Sequence, residues 1–143
     1  MNEIFATLYE TFFDWDTYQQ LLTFVYNNND YSKLGWLSLV LAIVIPLLFY
    51  KIWDPVSKSK LKYWLTIILN SALGYGVSSI ILYNNFEIIQ YISNYTGDVG
   101  QPDADYFIVQ MSLITLVLVA ILSISFSVLI FKRFSTNNSK NPF

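Results

Sequence analysis

Three stretches of this chain, 34–50, 63–86 and 106–131, contain no charged residue. Each is apolar around most of the helical circumference rather than on one face, and each approaches or exceeds the ~20 residues that a helix needs to cross a bilayer core. The pattern predicts an all-α integral membrane protein with three transmembrane helices over about 34–53, 62–84 and 104–133. Aromatics mark the ends of these spans: Trp36, then Tyr50 and Trp53, then Tyr63 and Trp64. Tyr and Trp favour headgroup depth because one edge is apolar and the other hydrogen-bonds. Pro46 removes a backbone donor, so the first span should kink where the Ala42 carbonyl loses its usual partner. Asp54-Pro55 should stop that helix, and the short basic link after it makes the first two spans an antiparallel hairpin. Asp103 is placed to cap the third span.

The flanking segments carry a different period. Over 3–27, Ile4, Leu8, Phe12, Trp15, Leu22 and Val25 recur near helical spacing, with Glu3, Thr7, Glu10 and Asp14 largely opposite. This predicts an amphipathic helical segment at the membrane interface, split by an Asp16–Gln19 cap and ended by 27–30. Phe86, Ile89, Ile92 and Tyr95 share a face, which extends the second span as an interfacial helix to about 95. Residues 96–102, with two glycines and a proline, read as a loop. Residues 135–143 read as a short, disordered polar tail. The organisation is thus a segment 1–33, a three-helix transmembrane bundle 34–134, and the tail.

Charge then orients the spans. Seven of the eight bases (Lys51, Lys58, Lys60, Lys62, Lys132, Arg133, Lys140) follow the first or the third stretch. Nine of the ten acids precede the first or lie between the second and third; only Lys33 and Asp54 depart from the partition. Positive-inside bias makes this an N-out, C-in protein, with 85–105 outside and 54–62 in the cytoplasm. The composition suits a bacterial cytoplasmic membrane. A nucleic-acid partner is not expected, because the bases already have a topological reason.

Chemistry is sparse. The chain is 143 residues, 55% hydrophobic and 13% charged, without cysteine or histidine. That removes thiol nucleophiles, Cys or His metal sites and the usual neutral-pH base. No Asp, Glu, Lys, Arg or His lies inside the charge-free stretches of the spans, which argues against an ion-driven pump or a voltage sensor. No catalytic, cofactor or metal site is expected. The outer carboxylates Glu87, Asp98, Asp103 and Asp105 are a poor candidate for a cation, since topology alone puts acids there.

Polar and small residues inside the spans are the candidates that remain. Asn70, Ser71, Gly74 and Ser78 share one side of the second span; Ala72, Tyr75, Gly76 and Ser79 share another. Small residues let helices approach closely, and an amide in hydrocarbon needs a partner. Both sets are expected to be helix-packing or oligomer contacts. Ser112, Thr115, Ser123 and Ser127 form one face of the third span, either a helix contact or a pore lining. Phe12, Trp15 and Leu22 are the candidate outer partner surface. The expectation is a non-enzymatic membrane subunit whose partners are lipid, other membrane subunits or copies of itself. The alternative is a homo-oligomeric pore: three spans, an outside N-terminus, a basic inside C-terminus and small size make the chain similar in outline to one class of phage holins.

Overall fold

The computed structural model describes residues 1–97 and 100–143, and among them the chain is helical: α1 (Asn2–Glu10), α2 (Trp15–Asn27), α3 (Asp30–Leu48), α4 (Ser59–Tyr83), α5 (Phe86–Ser93) and α6 (Ala104–Leu129). A π turn, Phe49–Trp53, follows α3, and a 3-10 turn, Phe131–Phe134, follows α6. Three segments are long and apolar enough to cross a membrane: Asp30–Trp53, Ser59–Tyr83 and Ala104–Leu129. At ~1.5 Å per residue each exceeds the ~30 Å hydrocarbon thickness. Large apolar side chains such as Val44, Ile68, Leu69, Leu73, Ile80, Leu113 and Ile121 stay exposed along them. In water such a surface would drive aggregation; against lipid it is the expected one.

The spans match the sequence pattern with shifted ends. The first begins at Asp30 rather than 34, because Asp30 and Lys33 pair at 2.6 Å one turn apart and the acid sits at the positive end of the helix. Pro46 lies inside α3, and the helix widens shortly after it, where the Asp54 N–H reaches back to the Phe49 carbonyl at 2.9 Å. Asp54 takes left-handed backbone angles and ends the element. The third span stops at Leu129 rather than 133.

The fold divides into two compact units, Met1–Trp36 with Tyr75–Ile114, and Leu37–Gly74 with Thr115–Phe143. In the first unit the amphipathic segment is two helices. The break lies at 11–14, and Asp14 rather than Asp16 takes the N-cap position of α2, its carboxylate accepting from the Thr17 hydroxyl and from no backbone N–H of the first turn. Asn29, at φ 56°, turns the chain from α2 into α3; Asn tolerates this left-handed region better than most residues. The ring of Phe5 lies on the backbone of Gly35, where an added Cβ would come within 2.3 Å of it. Glycine is required there for α1 to meet α3.

Asn85 joins three elements of this unit. Its Oδ1 accepts from the Glu87 and Ile88 N–H groups, capping α5, and from the Asn28 amide at 2.7 Å. Its Nδ2 donates to the buried Asp30 carboxylate at 2.7 Å and to the Phe24 carbonyl at 3.2 Å. That cap breaks the expected continuation of α4. In α5, Ile88 and Tyr91 are buried against the chain, and Phe86, Ile89 and Tyr95 of the expected interfacial face are exposed.

The second unit centres on the rings of Phe49, Tyr50, Tyr63 and Phe131, with Ile67. The residues after α6 are not disordered: they fold back onto the α3–α4 link. The Asp54 carboxylate accepts from the hydroxyls of Ser135 and Thr136 and from the amides of Asn137 and Asn138, the last at 2.8 Å. The Tyr50 hydroxyl donates to the Asn141 carbonyl at 3.0 Å. Burial of Ser135, Asn138 and Asn141 costs little because each is hydrogen-bonded.

Donors from this tail, the Ser135 hydroxyl foremost, hold the Asp54 carboxyl below its ordinary value, at about 2, against the opposing effect of burial. A depressed value means the ionised form is bound, so the clamp is complete above the ordinary carboxylate range and is lost as pH falls towards 2. Limited proteolysis across pH 7 to 2 should therefore release the tail only below about pH 4, and Asp54→Ala should release it at pH 7. An equally protected tail in Asp54→Ala would show that the carboxylate does not hold it.

Candidate helix-contact site

The middle span carries the polar and small residues that sequence singles out, and α4 sends them to two different environments. Asn70, Ser71, Gly74 and Ser78 are all buried. In the second unit the Asn70 amide donates to the Leu41 carbonyl of α3 and to the Ser123 hydroxyl of α6, both at 3.1 Å. One amide thus ties three helices. Its own Oδ1 is buried with no hydrogen-bond partner. Ser71 donates back to the Ile67 carbonyl at 2.9 Å and needs no neighbour. Gly74 allows the approach of α6: a Cβ there would lie 3.0 Å from a Val119 methyl. In the first unit Ser78 bonds back to the Tyr75 carbonyl.

The second set diverges. The Ser79 hydroxyl sits 2.9 Å from that of Ser112 on α6. Ala72 is exposed, and nothing lies within 4 Å of the Cβ position of Gly76. The structure therefore brings Asn70, Gly74 and Ser79 into helix contacts inside the chain and leaves Ala72 and Gly76 open.

Ser112, Thr115, Ser123 and Ser127 are fully buried within their units. Ser112 and Ser123 meet polar partners on α4. Ser127 lies beside the hydroxyls of Tyr50 and Tyr63, but neither its own hydroxyl nor that of Tyr63 reaches hydrogen-bond geometry. A residue that lines a pore between copies must be exposed on each copy. All four are buried, which favours a helix contact for this face.

The proposed outer partner surface splits in the same way. Phe12 is 64% exposed and Trp15 47%, whereas Leu22 is fully buried. Leu22 lines a groove of about 360 Å³ together with Ala6, Glu10, Trp15 and Tyr26.

Three of the outer carboxylates have hydrogen-bond partners within the chain. Asp103 caps α6 through the N–H groups of Asp105 and Tyr106, and Asp105 accepts from the Tyr83 hydroxyl at 2.8 Å. Glu87 is met by the Asn28 amide. Asp98 lies outside the described residues. Among those described, no group of three acids is placed to hold a metal ion.

Sequence reasoning missed two clusters, the Asp54 clamp and the Asp30–Asn85 junction. A signal for both existed. Lys33 and Asp54 are the two charges that depart from the partition between stretches, and both turn out to belong to these clusters: Lys33 pairs with Asp30, and Asp54 is held by the tail.

No protein-family model, curated protein or solved structure matches this chain.

The hydrogen-bond pattern distinguishes two buried polar groups. Asn70→Ala should destabilise by about 1 kcal/mol, since it removes two interhelical bonds. Ser127→Ala removes a hydroxyl with no partner and should be neutral or stabilising. Unfolding in mixed detergent measures both; an equal loss in the two variants would overturn the assignment.

Proposed function

We propose that this chain is a non-enzymatic membrane subunit whose work is assembly with other membrane subunits or with copies of itself. The observation that carries this reading is the split behaviour of α4. Its polar side chains bond within the chain, while Ala72 in the second unit and Gly76 in the first stay open on a helix otherwise exposing Ile68, Leu69, Leu73 and Ile80. Lipid covers apolar side chains, but a small-residue edge gains most from a second helix, because close backbone approach increases van der Waals contact. The exposed Phe12 and Trp15 add an aromatic surface away from the spans. The pore alternative is the weaker of the two, since its serine lining is buried.

Two glycines make a controlled test. Gly76→Ile enters open space and should leave the fold intact while reducing the assembled mass in mild detergent to that of one chain. Gly74→Ile meets Val119 and should destabilise the chain itself. A wild-type protein that is strictly monomeric and free of partners would overturn the proposal.

The orientation we propose follows the charge partition: the N-terminus outside, the 54–62 link and C-terminus in the cytoplasm of a bacterial cell. The chain has no native cysteine, so Lys58→Cys is a clean reporter. It should resist an impermeant thiol reagent in intact cells and react after lysis. Labelling from outside would reverse the topology.

A further inference from the structure

The second unit contains seven basic side chains and a single acid, Asp54. That acid is occupied by neutral donors of the tail. The one ion pair among the described residues, Lys33–Asp30, belongs to the other unit. No base of the second unit is therefore ion-paired among the described residues, and seven positive charges face one carboxylate. Two of them rest over aromatic rings: Lys62 Nζ lies 5.8 Å from the Trp53 ring centroid, and Lys51 Nζ 6.0 Å from that of Phe134.

Next to Lys62 is an apolar groove of about 320 Å³, lined by Ile45, Leu48, Phe49, Ile52, Trp53 and Thr66. The π turn builds one wall. It keeps Phe49 in the core while Ile52 and Trp53 face outward. The only polar side chain in the lining, Thr66, has its hydroxyl bonded to the Lys62 carbonyl at 2.8 Å. Nothing in the groove asks for a polar ligand. Lys62, one helical turn before Thr66, brings a cation to its Trp53 edge. The groove lies on two membrane-spanning helices, so it opens onto hydrocarbon.

We propose that this groove and Lys62 form a binding site for an anionic phospholipid, with an acyl chain along Ile45, Leu48 and Ile52 and the phosphate at the Lys62 ammonium. The Trp53 ring orients the ammonium and sits at the depth where apolar and polar parts of the lipid meet. Uncompensated bases beside a spanning helix attract anionic headgroups. The apolar groove converts that diffuse attraction into a site. This goes beyond the assembly proposal and needs only the membrane placement of the spans.

The test is native mass spectrometry of the full chain released from nanodiscs of phosphatidylcholine containing a minor fraction of phosphatidylglycerol. The wild type should retain phosphatidylglycerol in clear preference to phosphatidylcholine. Lys62→Gln should lower that preference about fivefold, and Leu48→Trp, which fills the groove, should abolish retention. Lys140→Gln carries the same charge change outside the site and should leave the preference unaltered. Equal retention of the two lipids by the wild type would overturn the proposal. So would an equal effect of Lys140→Gln and Lys62→Gln, which would mean a diffuse charge effect, or retention that survives Leu48→Trp. Because each variant is read by lipid bound per chain, the result is independent of whether the chain assembles.

Discussion

A hydrocarbon slab offers no hydrogen bonds, and that constraint governs this structure. A polar group inside a spanning helix must bond to its own backbone, meet another helix or remain unsatisfied at a cost of several kcal/mol. Ser71 and Ser78 take the first course. Asn70 takes the second, and because an amide has two donors it joins α3 and α6 at once. The packing of the second unit follows from that requirement as much as from apolar contact. Lipid tails are as apolar as leucine, so burial alone gives helices little reason to meet. Asn70 and Gly74 provide one: a hydrogen bond that has no alternative, and a surface that lets α6 come close.

Beyond the hydrocarbon the same accounting is settled by carboxylates. Asp30 and Asp54 are each held by hydrogen bonds from a distant part of the chain. Asp30 is buried at the start of α3 and receives Asn85 and Lys33, which fixes where α2 ends and α5 begins. Asp54 ends the π turn and receives the tail. Neutral donors suffice for Asp54 because several converge on one ionised group, and hydrogen bonds to a charged acceptor are stronger than neutral ones. Each carboxylate acts as a staple in a chain that has no cysteine. The one at Asp54 is met by neutral donors and pairs with no lysine, which leaves Lys62 free of an ion pair beside the apolar groove.

The spans were legible because their signal is local. Eighteen or more apolar residues in a row have one stable fate in a bilayer, a helix, whatever lies beside them. The Asp103 cap and the end at Asp54-Pro55 were legible for the same reason. Side-chain destinations were not local. The apolar run through 86–95 reads as a continuation of the second span, yet the Asn85 cap starts a separate helix in which Ile88 and Tyr91 are the buried residues. The 135–143 segment has the composition of a disordered tail, but a carboxylate more than eighty residues earlier orders it. Gly74 and Gly76 sit two positions apart, and only the position of Val119 makes the space at one tight while the other stays open.

The sequence by itself determined that this is a chain of three apolar helices with opposite charges at their ends, because periodicity and charge act over a few residues. Only the tertiary structure decided which polar groups are spent inside and which edges stay open, because those depend on which distant donor reaches which acceptor. The serine face of α6 shows the difference. Its composition suits a helix contact or a pore, and only the structure shows Ser123 bonded to Asn70 and Ser112 to Ser79 on α4.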